Sequence, residues 1–323
     1  MAQILEFEKD IFAVENQIRE LHSLSNMYDS VGDLTHEIAK LKKKLRHMKR
    51  DVFNGLDGWQ KTQVARHPER PYTLDYIQHM FTDFQELHGD RHGGVGASIV
   101  GGFAKFDDQT VMVIGHQKGR DAQEKIRRNF GMSQPSGYRK ALRLMRLAEK
   151  FNVPIITLID TPGAYPGVDA EEQGQSEAIA YNLFVMSSLQ VPIIVVVIGE
   201  GGSGGALAIG LGNRVLMLEH SVYSVISPEG CASILWGDKE KVKQAARALC
   251  LTARELLKLG VIDQIIQEPL GGAHRHHKWA ATGLKKVLRV HLKELVGMKS
   301  RDLIEHRQEK FRNMGVFNSD EKK

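Results

Sequence analysis

Residues 199–205 read GEGGSGG and follow the apolar run VPIIVVVI, so a glycine-rich turn leaves a buried strand. Three kinds of chemistry fit that spacing. Gly199, Gly201 and Gly204 form G-x-G-x-x-G, with Glu219 twenty residues after Gly199, the spacing of a dinucleotide-binding turn. Gly201, Ser203 and Gly205 form G-x-S-x-G, the turn that presents a serine nucleophile. Gly204 and Gly205 also put two adjacent amide donors at the start of a helix, where an oxyanion or another anion binds. A structural reading, glycines that only permit close helix–strand packing, stands beside these. The dinucleotide reading is weakened by its helix, since residues 205–212 (GALAIGLG) are interrupted by Gly210 and end at Gly212. Several strand–helix units also precede it, whereas that fingerprint normally opens its domain. The serine reading needs an activating histidine and an acid, and fourteen histidines nominate none in particular. A phosphate loop is excluded, because no Gly-Lys-Ser/Thr closes a glycine turn.

A second loop, DTPGAYPG (residues 160–167), carries two Pro-Gly turns and then Asp169, Glu171 and Glu172. Asp160 ends a buried strand, where it serves as a base or, more commonly for a strand-end aspartate, as a helix-capping acceptor. His274, His276 and His277 share their stretch with no Cys, Asp or Glu, and their spacing is not that of a zinc site, so they read as a solvated loop. Cys231 and Cys250 are too few for a disulfide framework or a four-cysteine zinc site. The formal charge is only +5, but it is unevenly spread. Residues 40–50 (KLKKKLRHMKR) hold seven Lys/Arg and no acid, which reads as a solvated helix face. Lys118, Arg120, Arg127 and Arg128 follow the run TVMVIG and predict a basic rim for phosphates or for acidic residues of a partner.

These residues need a scaffold, and 323 residues allow one large domain with appendages or two domains. A hydrophobic content of 42% and a charged content of 26% are globular values. No apolar run approaches the ~18 residues of a membrane span, and the mixed, acidic first twenty residues are unlike a signal peptide, so the expectation is a soluble cytoplasmic protein. Ile11, Val14, Ile18 and Leu21, then Ile38, Leu41, Leu45 and Met48, predict an amphipathic helix pair broken around residues 30–33. Such a pair has more apolar face than a short hairpin covers, so it should lean on the core or on another chain. A helix is predicted over 76–87. From residue 98, apolar β-branched runs alternate with helices predicted over 138–151 and 175–188, which implies an α/β sheet covered on both faces. VPII recurs at 153 and 191, each time opening a strand–glycine loop–helix unit, and ligands bind at that strand edge. Helices resume after Gly283 and run to Phe311.

Nine ordered blocks, RPYTLDYI, IGHQKGR, KIRRNFGM, GYRKALRLM, IDTPGAYPG, EEQGQSEAIA, GEGGSGGALAIG, YSVISPEGCASILW and EPLGGAHR, resemble the alpha subunit of the carboxyltransferase of multi-subunit acetyl-CoA carboxylase. The resemblance runs from about residue 70 to 275 and includes the helical N-terminus. It implies a crotonase-like (ClpP/crotonase) core of repeated ββα units at 81–275, between an N-terminal helical region (1–80) and a C-terminal helical extension (276–323). It implies carboxyl transfer from carboxybiotin, held on a biotin carboxyl carrier protein, to acetyl-CoA, giving malonyl-CoA for fatty acid biosynthesis. Implied partners are a zinc-ribbon beta subunit in an alpha2beta2 heterotetramer and an ATP-dependent biotin carboxylase. No metal is implied for this chain, and neither a membrane nor a nucleic acid as primary ligand. The implied catalytic groups are the amides of Gly204 and Gly205, with Lys118, Arg120, Arg127, Arg128, Gly163 and Ser203 binding substrate. Two other functions are weighed against this one. A stand-alone crotonase-type hydratase or thioester hydrolase would use acids such as Glu171 and Glu172. A nucleic-acid binder would use residues 40–50, but aromatic residues do not interleave them.

Overall fold

The computed structural model describes residues 4–25 and 31–315. The chain opens with a helical hairpin, α1 (Lys9–Ser25) and α2 (Val31–Asn54), followed by α3 (Gly58–Ala65) and α4 (Thr73–Met80). Strands β1 (Thr82–Glu86), β2 (Ile99–Phe106) and β3 (Gln109–His116) lead to α5 (Ala122–Arg127) and α6 (Pro135–Lys150). Next come β4 (Ile155–Thr161), α7 (Val168–Glu172), α8 (Gln175–Ser188), β5 (Ile193–Gly202) and α9 (Ser203–Leu207). The remainder is β6 (Arg214–Leu218), β7 (Val222–Ser224), α10 (Pro228–Trp236), α11 (Val242–Ala248), α12 (Ala253–Lys258), β8 (Gln264–Ile266), α13 (His277–Val296) and α14 (Ser300–Arg312).

One sheet runs β1-β2-β3-β4-β5-β6-β8, antiparallel over its first three strands and parallel from β3 onward, while β7 pairs with the carboxyl end of β5. Successive side chains of β4 and β5 serve opposite faces. Ile155, Ile159, Ile193, Val195 and Val197 join Tyr138, Leu144 and Met145 of α6 and Met186 of α8. Ile156, Leu158, Ile194, Val196 and Ile198 join Tyr76 of α4 and Leu284, Leu288 and Leu292 of α13. Both faces are therefore covered, which is why these strands are apolar on both sides until their carboxyl ends. The VPII repeat is a true structural register, because Ile155 pairs with Ile193 and Ile156 with Ile194 across the parallel ladder. Among the described residues, no helix is long and apolar enough to cross a membrane.

One expectation changes. The helix predicted over 76–87 ends at Met80, and Thr82–Glu86 is instead the edge strand β1, pairing with Lys105, Phe103 and Gly102 of β2. The cause is tertiary. A β-carbon at Gly102 would lie 1.9 Å from the Gln85 carbonyl oxygen, so the bare glycine backbone admits the pairing. The N-terminal hairpin takes the first of its two expected supports, with apolar residues that pack within the chain. Val14 and Ile18 meet Ile38, Leu41 and Leu45, and Ile11 and Leu5 pack on Phe53, Leu56 and Val64. The predicted break at residues 30–33 falls partly on Ser30, which lies outside the described residues, whereas Val31 already belongs to α2.

Ions fix the same arm. Arg275 donates from Nη2 to Glu8 Oε1 at 2.8 Å and from Nη1 to Glu15 Oε1 at 2.8 Å, and Lys49 Nζ lies 2.7 Å from Glu15 Oε1. Burial alone would raise the Glu8 pKa, but hydrogen bonds from His274 and Arg275 outweigh it and hold the carboxyl at about 2 instead of 4.5. A depressed carboxylate pKa stabilises the fold above its unfolded value and loses that contribution as pH falls through the folded one. Pepsin cleavage within the arm should therefore rise as pH drops from 4.5 toward 2 while the sheet stays protected. Arg275→Met should produce the same loosening at neutral pH, with a loss of roughly 2 kcal/mol, below the ~3–5 of a fully buried pair because Arg275 keeps some exposure. Unchanged protease resistance in that variant would refute the latch.

Candidate active site

Parallel strands bring their loops to one edge, so β4 and β5 deliver the two glycine loops side by side. The approach is closer than any side chain allows. A β-carbon at Gly205 would stand 2.5 Å from the carbonyl carbon of Gly163, and one at Gly202 would stand 2.1 Å from the carbonyl oxygen of Pro162. The β4 loop is held from behind, because Tyr165 N donates to Ser133 O at 3.0 Å and Gln175 Nε2 donates to the carbonyls of Ser133 and Tyr165. Gly204 and Gly205 lie in the first turn of α9, where amides have no intrahelical acceptor. Among the described residues these two amides donate to no protein acceptor. Gly204 faces a cavity of about 400 Å³ whose wall also includes Ser203, Leu207, Tyr223, Val225 and Leu256. Gly205 is buried behind it, against Gly163. Amide donors at an apolar wall suit an oxygen on which negative charge develops.

The other motif readings meet physical objections. Helix α9 has five residues, too short for a dinucleotide crossover, and Glu219 faces Arg254 at 3.9 Å. Ser203 does sit in the strained turn of a nucleophile elbow, with φ of 49°. Yet no histidine bonds its hydroxyl among the described residues, so the base is missing. Glu171 and Glu172 are exposed on α7 and converge on no buried site.

The four basic residues do not form a continuous rim. Lys118 turns inward, with Nζ 2.7 Å from Asp160 Oδ1 and 3.7 Å from Glu200 Oε2. Arg120 stacks over the Tyr72 ring at 4.0 Å and pairs with Asp75. Arg128 is buried, donating to Glu124 Oε1 and to the Ala97 carbonyl, both at 2.9 Å. Arg127 stays exposed, and with Asn129, Gln134 and Arg139 it lines a second cavity of about 510 Å³. Asp160 caps no helix. It accepts from Glu200 N at 2.9 Å, because the strand that follows in the sheet lies nearer to it than its own next helix. Glu200 and Arg66 escaped attention in the sequence. Arg66 Nε donates to Glu200 Oε1 at 2.7 Å and Nη1 to Glu229. The available signal was an acid inside a strand buried at every position, since a buried charge requires a partner.

The histidine stretch is not simply solvated. The His274 side chain is buried; its ring lies 4.3 Å from that of His67, and its Nε2 stands 3.3 Å from Glu8 Oε1. Glu8, His67 and His274 offer ligand atoms within 4.8 Å of one another, the set among the described residues that could hold a metal ion. However, Arg275 already occupies Glu8 Oε1, and the Glu69 amide donates to His67 Nδ1 at 3.1 Å. A metal-bound histidine normally donates from its second nitrogen, so this arrangement suits a hydrogen-bonded latch better than a metal centre.

Comparison with known proteins shows the family and the fold. A family model described as acetyl co-enzyme A carboxylase carboxyltransferase-like matches residues 4–315. The acetyl-coenzyme A carboxylase carboxyl transferase subunit alpha of Geobacter metallireducens is 60% identical over 313 residues, covering 97% of this chain and 98% of that protein. The protein of the same name from Ralstonia pickettii is 56% identical over 317 residues, covering 98% of each. Among solved structures, transcarboxylase 12S shares the fold with a TM-score of 0.54 at 18% identity, over 78% of this chain and 44% of that one. A Pseudomonas malonate decarboxylase hetero-tetramer shares it with a TM-score of 0.55 at 16% identity, over 67% and 86%. The crotonase-like α/β fold is thus shared with carboxyltransferases, and the chain belongs to the family of the alpha subunit of the acetyl-coenzyme A carboxylase carboxyl transferase.

Proposed function

We propose that this chain supplies the biotin-facing half of a carboxyltransferase active site and completes it with a zinc-ribbon beta subunit, as two alpha and two beta chains. In this reading the enzyme moves a carboxyl group from carboxybiotin, held on a carrier protein, to acetyl-CoA in the cytoplasm, giving malonyl-CoA for fatty acid synthesis. A separate ATP-dependent biotin carboxylase recharges the carrier. The supporting observation is the pair of adjacent amides at Gly204, on the wall of an apolar cavity, and at Gly205 behind it, neither with an acceptor among the described residues.

Biotin supplies a transferable carboxylate and an oxygen that gains negative charge as the carboxylate leaves. The residues present fit such a group, because its rings are largely apolar and its oxygen needs donors without a counter-cation. Gly204 and Gly205 donate to that oxygen, Gly163 holds the Gly205 peptide at van der Waals contact, and Ser203 lines the mouth. No side-chain nucleophile is required, which agrees with the missing base at Ser203. Of the four basic residues, Arg127 and Arg120 keep the exposure needed to meet CoA phosphates, with Arg128 and Lys118 behind them.

The contact between Gly205 and Gly163 makes a sharp test. Gly205→Ala pushes a methyl into the Gly163 peptide and displaces the amides. Together with the beta subunit, that variant should lose roughly 10²-fold in kcat for biotin-dependent malonyl-CoA decarboxylation, as expected for a misplacement near 1 Å. Circular dichroism and co-elution with the beta subunit should be unchanged. Normal turnover by a folded variant would sink the reading.

The elbow-like φ at Ser203 favours a second reading, a serine thioesterase, enough to test it. A fluorophosphonate probe should leave the chain unlabelled even after prolonged incubation. Covalent modification at Ser203 would revive the hydrolase.

A further inference from the structure

Beneath the glycine loops, a chain of charges crosses the carboxyl edge of three adjacent strands. Lys118 follows β3, Asp160 belongs to β4 and Glu200 to β5. Lys118 Nζ sits 2.7 Å from Asp160 Oδ1, and the same oxygen accepts from Glu200 N at 2.9 Å. The Glu200 side chain continues to Arg66, and Arg66 to Glu229. The pocket for this pair is built from missing side chains. A β-carbon at Gly199 would lie 2.4 Å from Asp160 Oδ1, and one at Gly131, where φ is +83°, would lie 2.8 Å from Lys118 Cγ. Asp160 is 1% exposed and its Oδ2 has no hydrogen-bond partner among the described residues, so the buried carboxylate draws on its ion pair with Lys118 for neutralisation.

We propose that Lys118 is a positioning residue for carboxyl transfer and not a ligand of the CoA phosphates. Its ion pair holds Asp160 against the Glu200 amide. That hydrogen bond sits at the irregularity of the β4–β5 ladder, where Ile159 pairs with Val197 but Thr161 with Gly201, and so fixes the course of the last residues of β5, which end two residues before Gly204. Burial opposes the lysine's charge, but Asp160 and Glu200 more than compensate and hold its pKa above the ordinary value. The ammonium therefore stays charged and bound to its carboxylate. The role rests on the preceding reading that the Gly204 and Gly205 amides act on the reacting oxygen.

The experiment uses the chain assembled with its beta subunit and reads biotin-dependent malonyl-CoA decarboxylation. Lys118→Met should lower kcat by roughly 10- to 100-fold while the KM for malonyl-CoA stays within about twofold. Lys118→Arg, which keeps the charge, should recover a large part of the rate. Removing one partner of a buried pair strands the other charge, so Lys118→Met risks poor folding. The double variant Lys118→Met, Asp160→Asn removes both charges, should melt close to the parent, and should still be slow. A Lys118→Met variant with raised KM and normal kcat would overturn the proposal by making Lys118 a substrate ligand. A double variant with full turnover would overturn it by making the pair purely structural. Gly205→Ala separates this proposal from the reading beneath it. If Gly205→Ala is slow and Lys118→Met is normal, only the positioning role fails. If Gly205→Ala is normal, the amide reading fails and takes the positioning role with it.

Discussion

Everything at the carboxyl edge of the sheet depends on two backbone loops approaching closer than a β-carbon permits. Gly202 meets the Pro162 carbonyl, Gly205 meets the Gly163 peptide, and Gly199 meets the Asp160 carboxylate. Each position carries glycine because its neighbour is backbone, or a charged group held in place, that cannot step aside. The close approach has a chemical consequence. It buries Gly205 while leaving its amide and that of Gly204 without acceptors among the described residues, a donor pair that suits an oxygen on which negative charge develops.

Such a loop needs rigid support, and the sheet provides two kinds. The apolar kind comes from α6 and α8 on one face and α4 and α13 on the other, which clamp β4 and β5 along their length. The ionic kind is local. Lys118, Asp160, Glu200, Arg66 and Glu229 form a chain whose members come from segments far apart in sequence. Buried ion pairs are weak contributors to stability because desolvation offsets attraction. Their value here lies in geometry, since a hydrogen-bonded carboxylate fixes a direction that packing alone leaves soft. Arg307 shows the same economy elsewhere, donating to the carbonyls of Met186, Leu189 and Val191 and so tying α14 to the turn between α8 and β5.

The N-terminal hairpin teaches a different lesson. Its heptad-like spacing is real, but spacing does not say what covers an apolar stripe. Here Phe53, Leu56 and Val64 cover one end, and Arg275 reaches across from beyond residue 270 to hold Glu8 and Glu15. His274, which looks solvated when read along the chain, is drawn with His67 into that same latch.

The sequence by itself determined the α/β class, the recurrence of VPII, the helix over 175–188 and the two glycine loops, and its nine blocks were enough for the family. All of these are local or periodic signals, written within one strand, one helix or one turn. What only the tertiary structure decided was the partner of each charge and the end of each element that depends on a neighbour. The strand at Thr82–Glu86 exists because Gly102 admits it, and Lys118 is internal because Asp160 waits on the next strand. Arg66 meets Glu200 across 134 residues, a separation over which charge type carries no information about pairing. Ionic partners are chosen by proximity after the sheet has formed, so they are invisible until the strands are placed side by side.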